Sequence, residues 1–308
     1  MHVVITEFMD EAAVASLAAR FDVSYDATLV DRPMELKALL ADADAVVVRN
    51  KTQVDAELLA AAPRLKVVGR LGVGLDNVDM LGCKARSIEV IPATGANALA
   101  VAEYVIGTAM LLLRGVYAST DAVAEGAWPR AALSNGREIA GKTLGVVGFG
   151  SIGRLAGRLA RSLGMSVAAF DSQIRADAPI WREESAMPMA LDDVLRTADV
   201  VTLHVPLTPE TRGLLGAVKL ALMKPDAILI NTARGGVVDE AALAAALKSG
   251  KLGGAALDVF EDEPLPAGSP LAGCPNLILT PHVAGVTRES NVRVSTLIAD
   301  KVAAALTL

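Results

Sequence analysis

Short apolar runs alternate with amphipathic stretches of helical period along this chain. In the first third, strand-like runs fall at residues 3–6, 22–25, 45–48, 66–68 and 89–91. Helical spacing separates them at 10–20, 33–40, 55–61 and 77–85. A second series resumes at 144–147 and continues at 166–170, 200–204, 227–230, 254–257 and 277–279. Short apolar runs that alternate with helices predict parallel sheets covered on both faces. Between the two series, the Ala/Leu-rich stretch 98–118 reads as one long helix joining two domains. Polar, Gly- and Pro-containing sequence at 126–141 leads on from it, and 286–306 reads as a closing helix.

One turn in the second series narrows the reading. Gly148-Phe149-Gly150-Ser151-Ile152-Gly153 stands between the apolar run Thr143-Leu144-Gly145-Val146-Val147 and a helical stretch. Asp171 closes the next apolar run, roughly 20 residues beyond the turn. Gly148, Gly150 and Gly153 allow a tight turn and a close approach of backbone to a pyrophosphate, and the helix N-terminus then offers its free N–H groups to that anion. A carboxylate at the tip of the following strand accepts hydrogen bonds from an adenosine ribose. A glycine triplet alone suits any strand-to-helix turn. With strand, helix and terminal acid all present, it marks a nucleotide-cofactor site.

The 308 residues suit two domains of about 100–200 residues each. Hydrophobic residues make up 53% and aromatics only 3%, so the cores are aliphatic. A net charge of −6 leaves no broad basic field, which argues against a nucleic-acid partner. An anionic ligand must then be met by a few individual cations. Cys83 and Cys274 lie far apart without metal-ligand spacing and read as reduced thiols of a cytoplasmic protein. The N-terminus reads as a first strand and helix, not as a secretory signal. Residues 98–113 are interrupted by Glu103 and are too short to span ~30 Å of hydrocarbon, so no membrane association is expected.

Three histidines are present. His2 reads as structural. His204 ends an apolar run, near enough to a sheet edge to approach a cofactor, but nothing in the neighbouring sequence activates it. His282, in Thr280-Pro281-His282-Val283-Ala284, also follows a strand. Arg234 follows the run ending Asn231-Thr232-Ala233 and precedes Gly235-Gly236, while Glu263 closes Asp258-Val259-Phe260-Glu261-Asp262-Glu263. Strand carboxyl ends rim the ligand crevice of open α/β sheets, so these three side chains can converge on the cofactor. Hydride transfer to a 2-oxo acid needs this set. Arginine forks onto the carboxylate and polarises the carbonyl, histidine exchanges the proton, and a carboxylate orients the imidazole. The competing reading, a solvated acidic loop, fits Glu261 and Asp262.

The segments Asn231-Thr232-Ala233-Arg234-Gly235-Gly236, Ala256-Leu257-Asp258-Val259-Phe260-Glu261-Asp262-Glu263-Pro264 and Thr280-Pro281-His282 resemble the D-isomer-specific 2-hydroxyacid dehydrogenase family. The resemblance covers essentially the whole chain, including Gly69-Arg70-Leu71-Gly72-Val73-Gly74 and Gly95-Ala96-Asn97, and is strongest toward phosphoglycerate dehydrogenases. It implies two Rossmann-like or flavodoxin-like doubly wound α/β domains with a cleft between them. Residues 1–98 plus 285–308 would form the substrate domain and 99–284 the NAD-binding domain. It further implies Arg234, Glu263 and His282 as catalytic residues. Cofactor contacts would come from the three glycines, Ser151, Ile152, Asp171, Val205, Pro206, Thr232 and Asp258, the last toward the nicotinamide carboxamide. Val73 and Gly74 would offer N–H groups to the substrate carboxylate, and the protein would be a homodimer. NAD is expected over NADP because Asp171 repels a 2′-phosphate, with Arg175 close in sequence leaving NADP as the minor alternative.

Two departures from the phosphoglycerate pattern bear on the substrate. The chain stops soon after its last helix, so a serine-sensing regulatory domain is not expected. The segments Arg49-Asn50-Lys51-Thr52-Gln53 and His282-Val283-Ala284-Gly285-Val286-Thr287 replace the familiar Ser-Ala-Thr and Gly-Ala-Ser wording and resemble sulfolactate dehydrogenases. Arg49, Lys51 and Arg70 are expected to neutralise a second anionic group on a small 2-hydroxy or 2-oxo acid, whether phospho, sulfo or carboxylate. The reading from another class is an NAD(H)-sensing binding protein without activity. The full Arg/Glu/His set and the missing basic surface argue against it.

Overall fold

The structure is a computed structural model that describes residues 1–307. It divides into two compact units, one comprising Met1–Asn97 with Val286–Leu308 and the other Ala98–Gly285. Among the described residues each unit is built on one parallel sheet, five-stranded in the first and seven-stranded in the second.

In the first unit the strands are β1 (His2–Ile5), β2 (Asp22–Tyr25), β3 (Ala45–Val48), β4 (Val67–Arg70) and β5 (Glu89–Pro92), in the order β2-β1-β3-β4-β5. Side chains alternate across the sheet, and the two faces enter different cores. Val3, Ile5, Ala45 and Val47 pack with Ile298, Val302 and Leu306 of the last helix, Arg288–Thr307. Val4, Val46 and Val48 pack on the other side with Leu36, Leu40, Leu58 and Leu59. Burial on both faces is why these strands are apolar throughout. The last helix lies so close to β4 that a Cβ on Gly69 would come 2.8 Å from Val302 Cγ2 and 2.9 Å from Ile298 Cγ2.

The second unit continues with β6 (Thr143–Val147), β7 (Ser166–Phe170), β8 (Met187–Pro188), β9 (Val200–Leu203), β10 (Ile228–Asn231), β11 (Gly254–Leu257) and β12 (Leu277–Leu279). The sheet order is β12-β11-β10-β9-β6-β7-β8. The chain therefore runs outward from β6 through β7 and β8, then returns to β9 on the other side of β6. Such a reversal opens a crevice at the carboxyl ends of the central strands. The helix Ala98–Arg114 lies wholly in this unit. Its Ala102, Val105, Ala109 and Leu113 share a core with Ala156 and Ala160 of the helix Ser151–Ser162.

Strand positions follow the apolar pattern closely, with two differences. The helix expected over 98–118 ends at Arg114, because Gly115 turns left-handed (φ +67°), and the chain continues as a short 3-10 helix, Tyr117–Ser119, and a five-residue α-helix, Thr120–Ala124. Strand β8 has only two residues, too few to show any alternation. No single helix among the described residues is long and apolar enough to cross a membrane.

The Gly69 contact yields a direct test. Gly69→Ala drives a methyl group into two branched side chains, and overpacking of this kind costs about 1–3 kcal/mol. Chemical denaturation should show that loss, and a wild-type midpoint would contradict the packing of the last helix on β4.

Candidate active site

The turn after β6 is shaped by steric necessity. Gly148 is left-handed (φ +94°), and a Cβ there would lie 2.5 Å from the His204 carbonyl oxygen and 3.1 Å from Val205 Cγ1. At Gly153 a Cβ would lie 2.2 Å from the Gly148 carbonyl oxygen, so the helix can start this close to the strand only with glycine. Gly150 differs, since a Cβ there would meet nothing within 4 Å. The helix Ser151–Ser162 begins at Gly150 without a side-chain cap, leaving the N–H groups at Ser151 and Ile152 to face an outside acceptor.

Asp171, just beyond β7, accepts from the N–H of Phe149 (2.8 Å) and of Gln173 (2.8 Å), which seats its carboxylate beside the glycine turn. At the end of β10, Thr232 Oγ1 is buried and has no hydrogen-bond partner. An open glycine, an uncapped helix start, a carboxylate at the next strand tip and an orphaned buried hydroxyl together fit a dinucleotide. Val205 and Pro206 follow β9, next to β6, and Pro206 O accepts from Thr211 Oγ1 at 2.6 Å.

The candidate acid–base groups come from three adjacent strands, since β10, β11 and β12 are neighbours and all parallel. Arg234 follows β10 on a turn bracketed by Asn231. The Asn231 Oδ1 accepts from Ala233 N (3.0 Å), and its Nδ2 donates to the Arg234 carbonyl (3.0 Å). The next residue, Gly235, runs so hard against the segment after β11 that a Cβ would sit 1.6 Å from Phe260 O. On that segment Glu263 Oε1 accepts from Phe260 N (3.1 Å), and Oε2 meets His282 Nδ1 at 2.8 Å. A carboxylate can only accept, so Nδ1 donates and Nε2 is left as the nitrogen that exchanges a proton. The His282 side chain is 49% exposed.

His204 does not share this arrangement. Its Nε2 lies 3.1 Å from Thr202 Oγ1, and burial pushes its pKa down to about 4. Desolvation therefore keeps this imidazole neutral at physiological pH.

In the first unit, the loops after β3 and β4 stand side by side, Val48 pairing with Arg70 in register. The loop after β3 is gathered by Glu7, a residue only 4% exposed. Its Oε1 accepts from the N–H of Arg49 (2.9 Å) and Thr52 (3.0 Å), and its Oε2 from Lys51 (3.1 Å) and Asn50 (3.3 Å). Asn77 Nδ2 donates to the carbonyls of Thr52 (2.7 Å) and Arg49 (3.2 Å). With the amides turned toward Glu7, the side chain of Asn50 is exposed, that of Arg49 half-buried and that of Thr52 buried. Arg49 Nη2 donates to Asn291 Oδ1 (2.9 Å), and the guanidinium sits 5.7 Å over the Phe8 ring. Burial holds the Arg49 pKa below its ordinary range, with Glu7 opposing that effect. Lys51 is exposed. Arg70 lays its guanidinium over Gly72, where a Cβ would be 1.5 Å from Nη1. Val73 is exposed and Gly74 half-buried on the same stretch.

Glu7, Asn77 and Asn231 escaped the sequence reading. Each is a lone polar residue whose partners are backbone groups, and backbone groups leave no trace in sequence. The one available signal was an acid directly after the apolar run of β1.

Residues 106–284, more than half of the chain, match the family described as D-isomer specific 2-hydroxyacid dehydrogenase, NAD binding domain. Over 305 residues the chain is 54% identical to the (S)-sulfolactate dehydrogenase of Chromohalobacter salexigens, covering 99% of this chain and 98% of that one. It is 41% identical over 307 residues to the D-3-phosphoglycerate dehydrogenase of Mycobacterium tuberculosis, covering 99% of this chain but 56% of that enzyme's length. Among solved structures, the TT0316 protein of Thermus thermophilus superposes with a TM-score of 0.89 at 34% identity, over 100% of this chain and 97% of that one.

Glu7 provides a pH test. Burial opposes its ionisation, but the backbone N–H groups of Thr52, Arg49 and Lys51 outweigh that and hold its pKa below the ordinary 4.5. A carboxyl lowered on folding stabilises the protein above its unfolded pKa, and that contribution is lost as pH falls through the folded value. Glu7→Gln should therefore cost about 1.5–3 kcal/mol at neutral pH. The gap to wild type should close in acid, below about 4.5. Urea unfolding at neutral and acid pH measures it; a gap independent of pH would contradict the role of the charge.

Proposed function

The chain belongs to the D-isomer-specific 2-hydroxyacid dehydrogenase family, and from that premise we propose that its substrate is a 3-sulfo-2-hydroxy acid, converted reversibly to the 2-oxo acid. The family uses NAD, which when bound supplies the hydride acceptor. The observation that carries the acid–base assignment is the 2.8 Å contact between Glu263 and His282. In the oxidative direction His282 takes the hydroxyl proton at Nε2, while Glu263 keeps the ring oriented and balances its charge. Arg234 forks onto the substrate carboxylate and polarises the neighbouring oxygen, with the N–H groups at Val73 and Gly74 as further donors. Arg49, Lys51 and Arg70 take the second anion. We assign substrate binding to the unit containing β1–β5 and cofactor binding to the unit containing β6–β12. In the latter, Gly148, Gly150, Gly153, Ser151 and Ile152 take the pyrophosphate and Asp171 the ribose, with Val205, Pro206, Thr232 and Asp258 lining the rest.

The sulfo group is favoured by the 54% identity to a sulfolactate dehydrogenase and by the loop wording at 49–53 and 283–287. The second reading, 3-phosphoglycerate, is supported by the 41% identity to phosphoglycerate dehydrogenases. A cytoplasmic location is supported by two unpaired cysteines. A homodimer is supported by the apolar side chains Met110, Leu111, Tyr117, Val123 and Trp128, all exposed, Trp128 to 78%.

Two measurements test these readings. With NAD, 3-sulfolactate should be oxidised in preference to 3-phosphoglycerate and lactate, as followed by NADH absorbance. Arg49→Ala should raise KM for sulfolactate at least about tenfold, a difference of about 1.4 kcal/mol, while sparing lactate. An unchanged preference removes Arg49 from the anion site, and a protein that binds NADH but turns over no acid is a sensor. Sedimentation should give a particle of twice 31.8 kDa, reduced to monomer in a Trp128→Ala/Met110→Glu variant. A wild-type monomer would exclude the dimer.

A further inference from the structure

His282 holds a backbone conformation that a side chain rarely adopts, with φ +55°. Something must keep it there, and the structure shows what does. The loop after β12 is bound at four points by one residue, Asp258, itself only 1% exposed. The His282 N–H donates to the Asp258 carbonyl (2.8 Å). Val283 N and Thr280 Oγ1 donate to Oδ1 (2.8 and 2.5 Å), and Ala284 N donates to Oδ2 (2.8 Å). Three of these four bonds end on the carboxylate, so its orientation sets the path of residues 280–284.

That orientation is in turn fixed from the helix Ala98–Arg114. Tyr104 Oη lies 2.7 Å from Thr280 Oγ1. A threonine hydroxyl carries one proton, and here it goes to Asp258, so Thr280 must accept from Tyr104. The order of donation is Tyr104 to Thr280 to Asp258. Burial, reinforced by the Asp258 charge, holds the Tyr104 phenol above its ordinary range and keeps it a donor.

We infer that Tyr104 is a positioning residue for His282, acting through Thr280 and Asp258 on the loop that carries the imidazole. This rests on the assignment of His282 as the acid–base group. Tyr104 is half-buried and otherwise has the features of an ordinary helix packing residue. A packing role and a positioning role differ in what the loss of one hydroxyl does. Removing it leaves the ring in place and frees the Thr280 hydroxyl to rotate, so the Asp258 carboxylate, still held by the Val283 and Ala284 amides, loses one of the three constraints that aim it.

The experiment compares wild type with Tyr104→Phe, Thr280→Val and the double variant. The expected result is a fall in kcat of about 3–10-fold in each single variant, since small misplacements of a reacting group are costly. KM for the hydroxy acid and the fluorescence-measured Kd for NADH should stay at wild-type values. The double variant should lose no more than the worse single one, because both break the same relay. Full kcat in Tyr104→Phe overturns the inference, as does additivity of the two losses. An activity-free readout is the NMR signal of the His282 ring, one of three histidines. In Tyr104→Phe that signal should shift or broaden. If wild type turns over no hydroxy acid, the proposed reaction falls, and the His282 signal alone then decides the positioning claim, an unchanged signal refuting it.

Discussion

A carboxylate taken out of water must recover its lost hydration from nearby donors, or the fold does not tolerate it. In both units the donors are main-chain amides of a loop at the carboxyl edge of a parallel sheet. Glu7 collects four amides from the loop after β3. Asp258 collects two amides and a hydroxyl from the loop after β12. The same electrostatic demand that makes a buried acid expensive makes these loops rigid. Each acid draws loop amides toward itself and so fixes the backbone that carries Arg49 in one unit and His282 in the other.

The parallel sheets explain why such devices are needed. Strands buried on both faces, such as β3, β9, β10 and β11, have no side chains to spare for chemistry. Function is displaced onto the loops beyond their carboxyl ends, and loops lack the ladder of hydrogen bonds that holds a strand. Precision must be built back residue by residue. Asn231 brackets the Arg234 turn, and Glu263 locks the His282 ring. Glycines serve the same end by omission. Gly235, Gly153 and Gly148 mark the places where one backbone crosses another too closely for a methyl group.

The apolar rhythm made the two parallel sheets legible, with Ala45–Val48 and Gly254–Leu257 falling where their runs of β-branched and small apolar residues begin and end. The glycine turn was legible too, because sterics and anion binding constrain its residue types. The end of the helix at Arg114 was harder to see, since the apolar residues Val116, Tyr117 and Ala118 follow Gly115 without a proline to mark the stop. The hydrogen bonds of Glu7 and Asp258 were not readable at all, because their partners are amides that every residue carries.

The sequence by itself determined the fold class, the cofactor turn and the chemical types available, since periodicity, glycine sterics and side-chain chemistry are local properties. It named Glu263 and His282 but had no means of bringing them to 2.8 Å. That distance follows from the adjacency of β11 and β12 and from an αL histidine held by a buried acid. Only the tertiary structure decides such contacts, because strand order and the compensation of a buried charge depend on residues far apart in the chain.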